Sequence, residues 1–534
     1  MRAPRLHTLC CAAVAAALVV GRADAQTITR GPYLTSAAPD RITISWRTST
    51  ATGSRVDYGD NISSYTQSTS DPALVTNHEV TITGLLAAHS YAYRVGTPSA
   101  LLTPADATYA FKTAPLPGAQ VPVRVWVVGD SGDNNGSSQA VRDKFAAYSA
   151  GQPPDLWLML GDNAYGAGSD GDYQSGCFNL YPQALRKWPL FTTRGNHDAL
   201  SSGAWNDYLD FFCLPSAGQC GGVASGSESY YSYDWGPVHF ICLDSEGSDR
   251  SKGGPMLRWL RQDLAATEAA WVVCYWHHPP YTNGSHSSDD SGDSGGRMTD
   301  MRQNVVPILD STGVDLVLSG HSHGYERSYL LNGHYGVSST LTSAMKVGPG
   351  DGRTGGNGAY TKPHLNQFPF EGAVYTVAGS SAKSGNVRSM PCMVTGISTY
   401  GSLVLDFNGN RLDARFLASN GAIRDSFTVV KGTGVLDAPP PVASLRLTTP
   451  HPNPARGAVS FEYELPTPGE ATFDVLDAAG RRVTRLARGQ QPAGPQRLEW
   501  RGAGARGLPA PPGVYWAVLT ALGQTRVTRV VLTP

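Results

Sequence analysis

The chain has 534 residues, 41% of them apolar and 16% charged, with 60 Gly, 37 Pro and a formal net charge of −1. That length exceeds one ordinary domain, and the composition suits several cores built from short strands and many turns rather than long helices. Near neutrality excludes a strong field for nucleic acid or an anionic membrane, and the lack of any Cys-x-x-Cys string excludes thiolate zinc and redox motifs.

Residues 1–25 combine Arg2 and Arg5, an apolar stretch over 9–20, and Ala23-Asp24-Ala25 before Gln26; they are predicted to be a cleaved secretory signal. Its removal takes Cys10 and Cys11 with it and leaves the mature chain slightly acidic. No other window approaches the roughly 20 apolar residues of a membrane span, so the product is expected to be secreted or displayed at the cell surface. Disulfides are then permitted. Cys213 and Cys220 bracket a Gly- and Pro-containing loop and are the expected pair, whereas Cys242 and Cys274 lie in strand-like runs and read as buried thiols.

Across residues 26–115, strand patterns at 41–46, 78–82 and 90–95 separated by turn clusters predict a small β-sandwich. Trp46, with Tyr91 and Tyr93 behind Thr83-Gly84-Leu85, resembles a fibronectin type III-like module. Residues 120–432 alternate strand-like runs with helical stretches such as 256–267, where Met256, Trp259, Leu260 and Leu264 share one face, and this alternation predicts an α/β core. Five apolar runs, at 123–128, 156–160, 189–193, 271–276 and 314–318, each lead into a short polar string. In order these are Gly129-Asp130-Ser131-Gly132, Gly161-Asp162-Asn163-Ala164-Tyr165, Gly195-Asn196-His197-Asp198, His277-His278-Pro279 and Gly320-His321-Ser322-His323. Loops at the carboxyl ends of strands are where an α/β sheet carries its chemistry. Residues 433–441 read as a Pro-rich linker, and 442–534 hold no Lys but eleven Arg against six acids. Strand runs at 471–476 and 514–519, with turns at Ala479-Gly480 and Pro512-Gly513, predict a second all-β sandwich there.

The five strings gather hard carboxylates (Asp130, Asp162), a neutral amide oxygen (Asn196) and imidazoles (His277, His321, His323). Such donors suit zinc, iron or manganese better than calcium. His321 and His323, one residue apart, must either converge through a backbone twist or face different metals, and two adjacent ions satisfy that geometry. Asp162 is the natural bridge for a pair roughly 3.5–4 Å apart.

In order and spelling the strings are similar to those of the purple acid phosphatases among the calcineurin-like metallophosphoesterases, whose blocks read GDxG, GDxxY, GNHD or GNHE, a strand ending in His, and GHxH. The resemblance covers about residues 27–430. It implies a four-layer α/β metallophosphoesterase sandwich of βαβαβ derivation, flanked here by two all-β sandwiches. It implies that Asp130, Asp162, Tyr165 and His323 bind ferric iron, and that Asp162, Asn196, His277 and His321 bind a divalent zinc, iron or manganese ion. Tyr165 as a phenolate ligand implies a violet colour, and the family's His-x-Pro spacing favours His277 over His278 as the ligand. His197 is the implied general acid, oriented and charged by Asp198, while His286 is expected to bind phosphoryl oxygens or assist protonation. The implied reaction is acid phosphatase hydrolysis of a small-molecule phosphate monoester by in-line attack of metal-bound hydroxide. Pro452-Asn453-Pro454 and Gly513-Val514-Tyr515 are similar to carboxyl-terminal sorting domains of type IX secretion cargo and to flagellar-hook-type immunoglobulin-like domains, which implies contact with secretion machinery.

Two other functions fit the same residues: a phosphodiesterase on the same site, and a non-catalytic surface binding protein whose site has decayed. The intact set of seven ligand residues speaks against decay. Gly292-Asp293-Ser294-Gly295-Gly296 matches the nucleophile string of trypsin-like serine proteases, but it sits in a Ser/Asp/Gly-rich run, 285–296, outside any double β-barrel pattern. It reads as a chance match in a solvated loop, whose Asp289, Asp290 and Asp293 at most shape substrate access.

Overall fold

The computed structural model describes residues 26–534 apart from 202, 433–444, 466–468, 493, 505–506 and 523. The expected leader at 1–25 and the expected linker at 433–441 lie outside the described residues. At the amino end are five strands, β1 (Ile28–Thr35), β2 (Arg41–Gly59), β3 (Gln67–Thr83), β4 (Ser90–Gly96) and β5 (Ala110–Lys112). β2 and β3 form a long antiparallel hairpin; β1 pairs with β2 along 43–48 and β4 along 55–59, so all five strands belong to one continuous sheet. Its core holds Ile42, Ile44, Trp46, Val56 and Tyr93. Arg30 and Arg47 both reach Asp170, at 2.9 and 2.6 Å, and fasten this module beside the loop that follows Tyr165.

The central region has fourteen further strands: β6 (Val123–Val128), β7 (Leu156–Met159), β8 (Leu190–Thr192), β9 (Tyr231–Trp235), β10 (Val238–Cys242), β11 (Trp271–Tyr275), β12 (Leu316–Ser319), β13 (Tyr325–Leu331), β14 (Tyr360–Lys362), β15 (Ala373–Ala378), β16 (Met393–Ile397), β17 (Gly401–Asn408), β18 (Arg411–Ala418) and β19 (Ile423–Lys431). They make two seven-stranded sheets, in the orders β14-β19-β18-β17-β6-β7-β8 and β16-β13-β15-β12-β11-β10-β9. Inner strands such as β6, β7, β11 and β12 are buried on both faces, and the period of two sorts their side chains between two cores. On β11, Trp271, Val273 and Tyr275 join the core between the sheets, whereas Val272 and Cys274 join an outer core. Trp271 meets Phe407 of the facing sheet edge-on, with ring centroids 5.6 Å apart. Helices α2 (Pro255–Ala266) and α3 (Val306–Thr312) cover the outer face of one sheet through Met256, Leu260, Val306 and Leu309. Helix α1 (Gly136–Tyr148) covers the other, where Phe145 stacks on Trp126 at 4.2 Å. The result is the four-layer helix–sheet–sheet–helix arrangement expected from the sequence.

Among the described residues seven more strands follow, β20 (Arg446–Leu447), β21 (Val459–Leu465), β22 (Gly469–Asp477), β23 (Arg482–Gln491), β24 (Gly494–Trp500), β25 (Gly513–Ala521) and β26 (Gln524–Leu532), in a three-stranded and a four-stranded sheet. Phe461, Phe473, Trp500 and Leu519 fill the space between them. Val514 and Trp516 of β25 pack on Ala265 of α2. Arg529 donates to the carbonyls of Leu264 (3.2 Å) and Thr267 (3.0 Å), satisfying acceptors that a helix end leaves open.

One expectation is corrected: all six described cysteines are free, so Cys213 and Cys220 do not pair. Each thiol turns instead toward a hydroxyl of the amino-terminal module, Cys213 to Thr43 at 4.0 Å and Cys220 toward Ser36. Burial pushes both thiols up to about 12, which keeps them protonated and unreactive. Cys242 and Cys274 are buried.

Candidate metal centre

The five strings follow β6, β7, β8, β11 and β12, and the parallel pairing of β6-β7-β8 and of β10-β11-β12-β15 sends their loops to the same end of the sheets. Backbone geometry there is unusual. Asp130, Asp162 and His321 have φ of 52°, 51° and 67°, a left-handed conformation rare for residues other than glycine. Such strain persists only where surrounding structure enforces it, and it concentrates at functional sites. Neighbouring glycines leave room for the donors: a Cβ on Gly195 would collide with the Asp162 carboxylate, and one on Gly320 would stand 2.6 Å from Asp130 Oδ2.

Two groups of donors result. In one, the Tyr165 hydroxyl lies 3.1 Å from Asp130 Oδ1 and 3.3 Å from His323 Nε2. In the other, Asn196 Oδ1 lies 3.0 Å from both His277 Nε2 and His321 Nδ1, which are 3.2 Å apart. Asp162 stands between them, with Oδ1 3.4 Å from His277 Nε2 and its carboxylate also against the Tyr165 hydroxyl. His277 Nδ1 is engaged by the Leu160 carbonyl at 2.8 Å, which aims Nε2 into the site. All seven candidate ligands named from the sequence are therefore brought together.

The electrostatics call for a cation. Asp130 and Asp162 are buried, and among the described residues neither forms an ion pair with Lys or Arg. Burial raises the Asp162 pKa, with Asp130 adding to the effect. Burial also raises the Tyr165 phenol well above its ordinary value, and the two carboxylates push it further. Buried charges without a partner are costly, and two adjacent metal ions would neutralise both carboxylates and allow a phenolate. The carboxylate, phenol, imidazole and amide donors thus fit a dinuclear centre of hard or borderline metals.

Other candidate residues fall as follows. His197 donates its backbone N–H to Asp162 Oδ1 (2.9 Å) and places its ring against Tyr165, with centroids 4.5 Å apart. Its Nδ1 lies 2.9 Å from the Gly166 carbonyl. The expectation that Asp198 orients His197 is corrected by this geometry. The Asp198 carboxylate accepts from the backbone N–H groups of Asn163, Ala164 and Gly195 and from the Tyr173 hydroxyl, and so clamps the Asp162 loop to the Asn196 loop. Burial pushes Asp198 up to about 6, with Asp162 contributing. His278 is buried with Nδ1 on Ser245 Oγ at 2.9 Å, and burial holds its pKa well below the ordinary range, so it stays neutral. His286 stacks on His321 at 4.0 Å and is about one-third exposed.

Sequence reasoning missed several residues. Asp293 and Ser294, read as part of a chance match in a solvated loop, stand inside the site: Asp293 Oδ1 is 2.9 Å from His286 Nδ1, and Ser294 Oγ is 2.6 Å from His321 Nε2. Lys383 lies over the Tyr165 ring at 4.4 Å while paired with Asp133 at 2.6 Å. The paired glycines after Ser294 signal a sharp turn; nothing in the sequence says what that turn faces.

Residues 123–325 match the calcineurin-like phosphoesterases, 30–113 the amino-terminal domain of purple acid phosphatases, and 454–524 the FlgD immunoglobulin-like domain. Purple acid phosphatase 15 of Arabidopsis thaliana is 28% identical over 277 residues, which cover 47% of this chain and 49% of that protein. Purple acid phosphatase 23 of the same plant is 28% identical over 306 residues, 52% of this chain and 62% of its own length. The chain thus spans about half the length of the first of these relatives. A purple acid phosphatase from seeds of yellow lupin (Lupinus luteus) has the same fold, with a TM-score of 0.60 at 17% identity over 77% of this chain and 76% of that one. Two separate parts of the sequence thus point to one set of proteins: the module at 30–113 is similar to the amino-terminal domain of purple acid phosphatases, and the core at 123–325 is similar to the calcineurin-like phosphoesterases.

Proposed function

We propose that this protein is a secreted, dinuclear metal-dependent acid phosphatase acting on small-molecule phosphate monoesters. The observation that carries the reading is the meeting of the Tyr165 hydroxyl with Asp130 and His323, beside a second donor group sharing Asp162. Asp130, Asp162, Tyr165 and His323 would hold ferric iron, and Asp162, Asn196, His277 and His321 a divalent zinc, iron or manganese ion. Such a pair, when bound, supplies Lewis acidity, an activated water and a cationic clamp for phosphoryl oxygens.

The chain's own groups do the rest. With its Nδ1–H donated to the Gly166 carbonyl, His197 presents Nε2 as the nitrogen free to deliver a proton to the leaving oxygen. His286, on the other flank beside His321, is placed to bind phosphoryl oxygens. Asp198 keeps the Asp162 and Asn196 loops in register. Residues 1–25 would direct export, the fibronectin type III-like module at 26–115 would brace the Tyr165 loop, and the sandwich at 442–534 would meet secretion machinery. Among the described residues no helix is long and apolar enough to cross a membrane.

The decisive assay compares a chromogenic phosphomonoester with its matching diester, on protein of known metal content, from acid to alkaline pH. Faster monoester turnover at acid pH with iron bound is expected. Preferential diester turnover would make the protein a phosphodiesterase, and no turnover of either by metallated protein would leave a binding role. Tyr165→Phe is expected to abolish the visible absorption band of the iron-loaded protein while leaving its circular dichroism unchanged; a retained band would exclude the phenolate assignment.

A further inference from the structure

The run Gly292-Asp293-Ser294-Gly295-Gly296 has a structural purpose that its resemblance to a protease motif conceals. Ser294, Gly295 and Gly296 take three successive left-handed conformations, with φ of 54°, 63° and 80°. Two glycines make that path accessible. The turn is tied down from behind: Arg297 donates to the Ser294 carbonyl at 2.8 Å and to Glu246 Oε1 at 2.9 Å. What it delivers is a hydroxyl and a carboxylate to two histidines of the centre.

The hydrogen bonds are directional. His321 turns Nδ1 toward Asn196 Oδ1 and His277 Nε2, and Nε2 toward Ser294 Oγ at 2.6 Å; with Nδ1 on a metal ion, the ring proton would sit on Nε2 and be donated to Ser294 Oγ. Ser294 donates in turn to Asp293 Oδ1 at 2.8 Å. The same oxygen accepts from His286 Nδ1 at 2.9 Å, and Asp293 Oδ2 accepts from the Ser287 N–H at 2.8 Å. We propose that Ser294 and Asp293 are positioning residues, Ser294 fixing His321 with Nδ1 toward the divalent ion and Asp293 holding His286 with Nε2 free for the phosphoryl group. The assignment rests on the proposed dinuclear centre. Groups that hold the second nitrogen of a ligand histidine fix its tautomer and ring orientation, and their loss costs about 10–100-fold in metal affinity or activity.

Ser294→Gly is the informative variant because glycine accepts the left-handed backbone while removing only the hydroxyl. The full-length protein is titrated with zinc against a competing chelator, and bound metal is counted. Wild type is expected to bind two equivalents. Ser294→Gly is expected to hold one of them roughly tenfold or more weakly, with the Tm of the metal-free protein unchanged. Asp293→Asn is expected to keep both equivalents and lower kcat about tenfold at similar KM, since it weakens the hold on His286 while preserving an acceptor. Wild-type metal affinity in Ser294→Gly together with wild-type kcat in Asp293→Asn would overturn the proposal. Failure of the wild type to take up two equivalents would instead overturn the dinuclear reading, and this assignment with it.

Discussion

Asp162→Asn is expected to lose both bound metals and to lower turnover by roughly 10³-fold or more, because the stabilisation a metal pair gives a transition state is worth several kcal/mol. Asp162 stands between the two donor groups, with His277 Nε2 3.4 Å from its Oδ1 on one side and the Tyr165 hydroxyl on the other. Asparagine keeps the oxygen that accepts the His197 N–H at 2.9 Å, and it tolerates the φ of 51° at this position. The change is therefore in charge far more than in shape. Its effect on stability should have the opposite sign: Asp162 and Asp130 are buried together with no Lys or Arg ion pair among the described residues, so removing one charge should stabilise the metal-free protein. Thermal unfolding with and without added metal separates the two effects. Wild type should gain Tm on metal addition by linkage, whereas the variant should start higher and gain little. Retention of two metal equivalents by Asp162→Asn would refute the bridging role.

His197→Ala is expected to slow alkyl phosphates by about 10²–10⁴-fold, the usual contribution of a positioned general acid. Aryl phosphates with good leaving groups should lose far less, because their leaving oxygen departs without a proton. The ring is held by its Nδ1 contact with Gly166 and by the Tyr165 face, so its loss removes the proton donor without opening the donor groups. Metal content should stay at the wild-type value. Equal losses on both ester types would show that His197 does not deliver the proton.

The set of candidate ligands was legible because each obeys local rules. An apolar run long enough for a strand, a glycine where a donor carboxylate leaves no space for a Cβ, and a donor of the right hardness all lie within a few residues, as at Gly195-Asn196 and Gly320-His321. Helix α2 was legible from the shared face of Met256, Trp259, Leu260 and Leu264. The misreadings concern relations between segments far apart in sequence. Asp198 is adjacent to His197 in the chain, yet its carboxylate serves a loop 34–35 residues away. Cys213 and Cys220 look like a pair until the amino-terminal module supplies Thr43 and Ser36 as their neighbours.

Residue types and local spacing thus determined the class of fold, the order of the strands that bear donors and the chemistry of those donors, since strand formation and metal preference are properties of short segments. Only the tertiary structure decided that a Ser/Asp/Gly run would press its hydroxyl onto His321, that Lys383 would cover Tyr165, and that the last sandwich would sit on α2 through Trp516 and Arg529. Those contacts depend on which loops two packed sheets bring to one edge, and parallel strands joined by long crossovers place neighbours in space that are remote in sequence.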